Sequence, residues 1–525
     1  MARGWFGRMD RSSLQVSDIG QPDGLVSKVR WVQRAASSQR WESPAFAVVS
    51  CSSERIIHLF MGNSGNDQGD HTHGQKRTRV APLGSMGPAR CNSGIRRRLR
   101  DSAAALTVFD THEHLWHERD RLARPVDFAL LLSHYTNSDL VSAGMAPSAV
   151  TDLQNPDIPT AVRWKSVAPY WSFIKTTGYG RCTLIAARDL YGIDDINEHT
   201  YVLLSERMAA ANQPGLYGRI LKDRARIELS VLDDLTTTTG QPLRPEPDFY
   251  KLVTRFDYIV MASDQKALEH IEQVNRVSVH NLSDLEKALE THVERALCQG
   301  LAGIKVALAY DRGLYFDTVP REDAEKAFEM IFSSAQKAAD HTTQKLLQDY
   351  LFHKVVEHAA EHHLPVQIHT GMLADNQNEN IRTNPSLLSN VLNRYREVHF
   401  DLFHGGYPYC SELAAMAKNL PNVFADLCWL HIIAPGAAKR LLHELIETVP
   451  ANKILGFGGD FLHVEGAYAH SQMARAVTAE VLADKVEDGY LQEEEALVLL
   501  KRILHQNGKD FFSGQILLAN PACGH

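Results

Sequence analysis

At 525 residues, with 44% hydrophobic and 22% charged side chains, the chain has the composition of a globular protein large enough for a substantial core. A formal net charge of −8 at pH 7 argues against a dedicated nucleic-acid partner, and no apolar run reaches the ~18–20 residues of a membrane-spanning helix. Seven cysteines, an odd number without any CxxC spacing, argue against a disulfide framework and fit a reducing, cytoplasmic compartment.

The charge is unevenly spread. Residues 1–100 hold 16 Lys/Arg against 7 Asp/Glu, a net of +9, which leaves 39 against 56, a net of −17, for the remainder. Gly, Ser, Arg and Asn dominate from Gly62 to Ser102, and the run Arg96-Arg97-Arg98 interrupts any core pattern. The composition of residues 1–103 predicts a disordered or non-native extension. An Arg-rich transit peptide is an alternative, weakened by Asp10, Asp18 and Asp23, and a translation start at Met86 is another.

From residue 106 short β-rich runs alternate with helical stretches. The candidate strands are 106–110 (LTVFD), 225–232 (ARIELSVL), 258–262 (YIVMA), 303–309 (GIKVALA), 365–369 (PVQIH), 399–404 (HFDLFH), 423–427 (VFADL) and 454–460 (ILGFGGD). Apolar residues at helical spacing fill 342–363, 411–420, 437–448 and 467–486. Eight such repeats predict an α/β fold, a (β/α)₈ TIM barrel over 104–525. More than 100 aromatic-rich residues separate the first two strands. A mainly helical insertion over about 120–222, capping the pocket, is expected there.

The strongest local signal is Asp110-Thr111-His112-Glu113-His114, directly after the first apolar run. Residues i and i+2 of a strand point to one side, so His112 and His114 project together, as a chelating pair needs. Spacing alone is weak evidence, since Asp70-His71-Thr72-His73 repeats it in a Gly-rich stretch with no strand before it. The company is stronger. His369 ends PVQIH, His404 ends HFDLFH and Asp460 ends ILGFGGD. In a barrel those strand tips converge on one face, where catalytic groups lie.

The motifs VFDTHEHLW, GIKV, QIHTG, LFHGGYP and GFGGD, in the order His-x-His, Lys, His, His, Asp, resemble the amidohydrolase superfamily. They are most similar to its amidohydrolase-related branch, which includes metal-dependent hydrolases, aromatic-acid decarboxylases and a domain sometimes fused to glutamine synthetase. The resemblance covers about residues 106–515. It implies His112, His114 and His369 as ligands of one divalent cation, zinc first and Mn²⁺ or Fe²⁺ as alternatives. Asp460 becomes a further ligand or the base, and His404 a group that polarises substrate or transfers a proton. Such a cation lowers the pKa of a bound water from about 15.7 to about 7. Lys305, within the fourth strand, is open to three readings: a carboxylated metal bridge, a contact to a substrate carboxylate, or structural support. Arg312 is a candidate anion clamp and Tyr407 a candidate substrate contact, each with a plain structural alternative.

His353, His358, His362 and His363 crowd one helix without an HExxH pattern, and a solvated or packed helix face is expected. The glycines around Gly458 read as letting backbone crowd the metal site, not as a dinucleotide loop. The leading expectation is a metal-dependent hydrolase of a C–N or C–O bond in a small, carboxylate-bearing substrate. A decarboxylase or sugar-acid isomerase on the same barrel is the alternative, and a non-catalytic binding barrel a third. A small molecule is the expected partner, with neither nucleic acid nor membrane, and self-association into a homo-oligomer is possible chemistry for such a barrel.

Overall fold

The computed structural model describes residues 93–235, 244, 246–332 and 340–513. The His71/His73 pair and the leader up to residue 92 lie outside the described residues. Eight strands follow in order: β1 (Val108–Glu113), β2 (Ile227–Asp233), β3 (Tyr250–Arg255), β4 (Leu301–Val306), β5 (Val366–Ile368), β6 (Phe400–Leu402), β7 (Val423–Asp426) and β8 (Ile454–Leu455). Each pairs in parallel with the next. The seam between β8 and β1 is bridged by the segment just after β8. Thr111 N–H donates to Phe457 O at 2.9 Å, Asp460 N–H to His112 O at 2.8 Å and His114 N–H to Phe461 O at 3.1 Å. Those bonds close the cylinder and seat Asp460 directly beside the His-x-His pair.

Seven of the strands fall where the sequence places them. The third does not: residues 258–262 (YIVMA) lie in and just after a short helix, Asp257–Val260, and β3 is the preceding YKLVTR segment. A five-residue apolar run is equally consistent with a strand and with one turn of buried helix. Here Asp257 decides, since its carboxylate accepts from Ala307 N–H at 2.8 Å and anchors the turn over β4.

Phe109, Val231, Val253, Phe424 and Leu455 form an apolar layer inside the barrel, joined by Phe511 and Phe512 of the last described helix. Phe109 precedes His112 by three positions, so this layer lies on the strand-start side of the histidines and leaves the strand ends for chemistry.

Between β1 and β2 the insertion is helical, as expected. Its main helices are Tyr135–Ser142, Pro147–Leu153, Thr160–Ile174, Gly178–Tyr191 and Tyr201–Ala211. Gly178 shows how closely it docks, because a Cβ there would stand 2.0 Å from the carbonyl oxygen of Ile432, just past β7. A buried ion pair fastens it: Arg121 donates to Glu465 Oε1 at 2.8 Å and to Asn212 Oδ1 at 2.7 Å, and Tyr191 OH donates to the same Glu465 oxygen at 2.8 Å.

The expected start of order near residue 104 is too late. Ser93–Ala105 is a helix lying along the long helix Val464–Glu487. The arginine run that interrupts a core pattern is an ion-pairing face. Arg96 reaches Asp484 at 2.6 Å, Arg98 reaches Glu493 at 2.6 Å and Arg100 reaches Glu480 at 2.9 Å. Between them Leu99 and Ala103 are buried, and the buried Arg475 donates to the carbonyls of Ala103 and Leu106. A chain begun at Leu106 is therefore expected to be less stable than one begun at Met86 by about 3 kcal/mol, from one buried leucine and the carbonyl acceptor lost to Arg475. Urea unfolding of the two chains measures this, and equal midpoints would show the helix to be dispensable. Among the described residues no helix is long and apolar enough to cross a membrane.

Candidate metal centre

The site is built where β1 meets the end of β8. His112 and His114 share the inward face of β1, with their Nε2 atoms 3.3 Å apart. Asp460 Oδ1 lies 3.2 Å from His114 Nε2 and 3.6 Å from His112 Nε2. All three side chains are buried. Four ligands placed tetrahedrally at 2.0–2.1 Å around zinc are about 3.3–3.4 Å from one another. The observed triangle fits that spacing.

The hydrogen bonds behind these atoms fix what each can do. Gln367 uses its amide N–H groups on Thr111 O at 2.9 Å and Asp401 Oδ2 at 3.0 Å, so its Oε1 faces His112 Nδ1 as an acceptor at 3.2 Å. His114 Nδ1 faces the Asp233 carbonyl at 3.1 Å. Both imidazoles must therefore carry their proton on Nδ1 and present a bare lone pair at Nε2. The third atom is a carboxylate oxygen. Three acceptors thus converge with no hydrogen between them, an arrangement that a cation satisfies and a hydrogen bond does not.

The electrostatics agree. Burial holds His112 well below the usual imidazole range, so it is neutral at pH 7. Burial alone would raise Asp460, but the neighbouring imidazoles of His114, His112 and His404 draw it well below the usual carboxylate range. The donor set of two imidazole nitrogens and one carboxylate suits zinc, manganese or iron(II).

His369 and His404 form a second pair. His404 Nδ1 donates to Cys428 O at 3.0 Å and His369 Nε2 donates to Met372 O at 2.9 Å. Their remaining nitrogens, His404 Nε2 and His369 Nδ1, face each other at 3.1 Å as lone pairs, to be joined by one shared proton or by a cation. His369 thus offers Nδ1 as the ligand atom, 3.1 Å from His404 Nε2, and a ligand atom of His404 lies within 4.8 Å of one of Asp460. Burial lowers His404 to about 4 and His369 well below its ordinary value.

The other expected residues divide. Lys305 is buried with Nζ 3.6 Å from the centre of the Phe403 ring, which in turn packs on His112. Burial, with Arg255 nearby, holds its ammonium to about 8. Arg312 is not an anion clamp. Its guanidinium is spent on Asp349 at 2.5 Å, Gln348 at 3.1 Å and the Tyr315 carbonyl at 3.0 Å, and it stacks on Phe316. Tyr407 is held by its backbone, its N–H on His404 O at 3.0 Å and its carbonyl on Met372 N–H at 2.6 Å. A Cβ on Gly459 would lie 1.8 Å from Glu113 Oε1, so the backbone after β8 runs tightly against β1.

Four residues that sequence reasoning did not assign to the site complete the wall. Tyr135, from the insertion, places its hydroxyl 2.5 Å from Asp460 Oδ2. It stacks on Trp429 at 4.4 Å, with Tyr179 at 5.5 Å. His134, its neighbour, is buried with neither ring nitrogen hydrogen-bonded among the described residues. His134, His404, Trp429 and Asp460 all adopt φ between 59° and 62°. Non-glycine residues held there are strained, and such strain gathers at functional sites.

Residues 288–512 match the amidohydrolase family model, a stretch that runs from the helix before β4 past β8 and includes Lys305, His369, His404 and Asp460. Among curated proteins, Protein fluG of Emericella nidulans is 27% identical over 223 residues, covering 40% of this chain. The match spans only 25% of that relative's length. Among solved structures, uronate isomerase from Thermotoga maritima superposes with a TM-score of 0.67 at 17% identity, covering 80% of this chain and 97% of that one. A protein from Lactobacillus casei assigned as a metal-dependent hydrolase gives 0.54 at 18% identity, covering 80% and 99%. At these identities the two structures share the fold with this chain. Residues 288–512 thus match the amidohydrolase family, and they lie in an eight-stranded parallel barrel whose strand ends bring His112, His114 and Asp460 together.

Proposed function

We propose that this protein is a metal-dependent hydrolase that cleaves a C–N or C–O bond in a small, carboxylate-bearing molecule. The supporting observation is the triangle of three proton-free acceptors, His112 Nε2, His114 Nε2 and Asp460 Oδ1. A divalent cation held there acts as a Lewis acid and makes water reactive at neutral pH. The rest is done by the chain. Tyr135, Tyr179 and Trp429 close over the centre and keep bulk water out, which strengthens every charge interaction inside. Tyr135 fixes Asp460 Oδ2, so Oδ1 stays aimed at the two imidazoles. His404, neutral at pH 7, takes up or releases a proton at Nε2, next to His369 Nδ1. Lys305 supplies positive charge deep in the barrel for a substrate anion. In this reading the protein works in the cytoplasm on a soluble metabolite.

A second reading, decarboxylation or sugar-acid isomerisation, is favoured by the His369–His404 pair. It places a mobile proton beside the centre without requiring that water attack anything. Turnover in ¹⁸O-water separates the two. With a panel of small amides, esters and lactones bearing a carboxylate, hydrolysis is expected to place solvent ¹⁸O in the acid product. Turnover of a sugar acid or aromatic acid with no such oxygen incorporated through bond cleavage would reject hydrolysis.

A further inference from the structure

We propose that His358, Glu361 and His362 form a second, peripheral site for one divalent transition-metal ion, distinct from the centre described above. The three residues stand at i, i+3 and i+4 at the end of the helix His341–Glu361 and share one face. The helix is intact through them, since His362 N–H still donates to His358 O at 3.1 Å. One ligand atom from each lies within 4.8 Å of the other two. The two imidazole rings are nearly parallel, inclined by 5° with centroids 6.2 Å apart.

A merely solvated face does not account for His358. Its Nδ1 is covered, yet it has no hydrogen-bond partner among the described residues. The nearest carboxylate oxygen, Glu361 Oε2, stands 3.7 Å away, too far for a hydrogen bond and close to the separation of two ligands on one ion. Glu361 is 67% exposed, so a small rotation of its side chain closes the set at little cost. The charged groups facing His358 are Glu361, His362, Glu290 and Glu357. Three of these are carboxylates, which favours a cation, although Lys287 and Lys354 partly neutralise Glu290 and Glu357. His353, one turn earlier, is not part of the set, because its Nδ1 is bonded to Tyr395 OH at 2.9 Å.

Two imidazoles and one carboxylate select Cu²⁺, Zn²⁺ or Ni²⁺ over Mg²⁺ and Ca²⁺. The helix ends just before β5 begins, so the site lies at the strand-start end of the barrel, opposite the strand tips that carry the main centre. An ion here would pin the last helical turn to His362, which leads into β5.

Equilibrium dialysis against Zn²⁺ alone tests this on the full chain. The parent protein is expected to bind one more ion than the His358→Ala, His362→Ala double variant, with equal turnover. The single variant His362→Gln keeps the half-buried His358 and guards against misfolding. It should lose the same ion, and Glu361→Gln should retain that ion with weaker affinity. Background binding elsewhere on the chain is common to all the variants and cancels. Equal numbers of bound ions in the parent and both histidine variants would overturn the site.

Discussion

Replacing Asp460 with asparagine is expected to lower turnover by about a thousandfold while leaving the fold intact. The side chain keeps its volume, its backbone bond to His112 and its neighbour Tyr135. What is lost is the only anionic member of the triangle with His112 and His114. An amide oxygen is a poorer ligand than a carboxylate and carries no charge to balance the cation. Losing about 4 kcal/mol of charge stabilisation corresponds to that change in rate. Metal content should fall alongside, measured after dialysis and compared with the parent. Near-normal turnover with full metal content would remove Asp460 from the centre.

Glu465→Ala should be the most destabilising of the single substitutions outside the centre. It leaves the Arg121 guanidinium buried with its counter-charge gone, and it removes the acceptor for Tyr191 OH. Breaking one partner of such a pair costs about 3–5 kcal/mol. Arg121 follows β1, whereas Glu465 begins the helix after β8 and Tyr191 and Asn212 belong to the insertion, so the loss loosens the cap as well as the barrel seam. The double variant Arg121→Met, Glu465→Leu replaces charge by packing and should recover most of the loss. Urea denaturation of the three chains measures it. If Glu465→Ala unfolds with the parent, the pair is not what fastens the insertion.

The repeat of strands and helices was legible because each β/α unit writes its own local pattern. So was the placement of His112, His114, His404 and Asp460, since each ends an apolar run. YIVMA misled because five apolar residues carry no period, and the anchoring role of Asp257 depends on Ala307, fifty positions away. The helix Ser93–Ala105 was hidden for a similar reason: its arginines look unpaired until Glu480, Asp484 and Glu493 are brought alongside. Arg312 suggested an anion clamp by position, and only the fold shows it committed to Asp349 and Gln348. Tyr135 and His134 were out of reach. Nothing in their local sequence announces a left-handed turn that drops a phenol onto Asp460. That contact exists because the insertion folds back over strand ends more than 300 positions further along the chain.

Anomalous diffraction at the zinc edge from crystals of the zinc-loaded protein is the most direct measurement. The geometry requires a peak about 2.0–2.2 Å from His112 Nε2, His114 Nε2 and Asp460 Oδ1 together. A peak elsewhere in the barrel, with those three atoms bridged by a protonated imidazole, would contradict it.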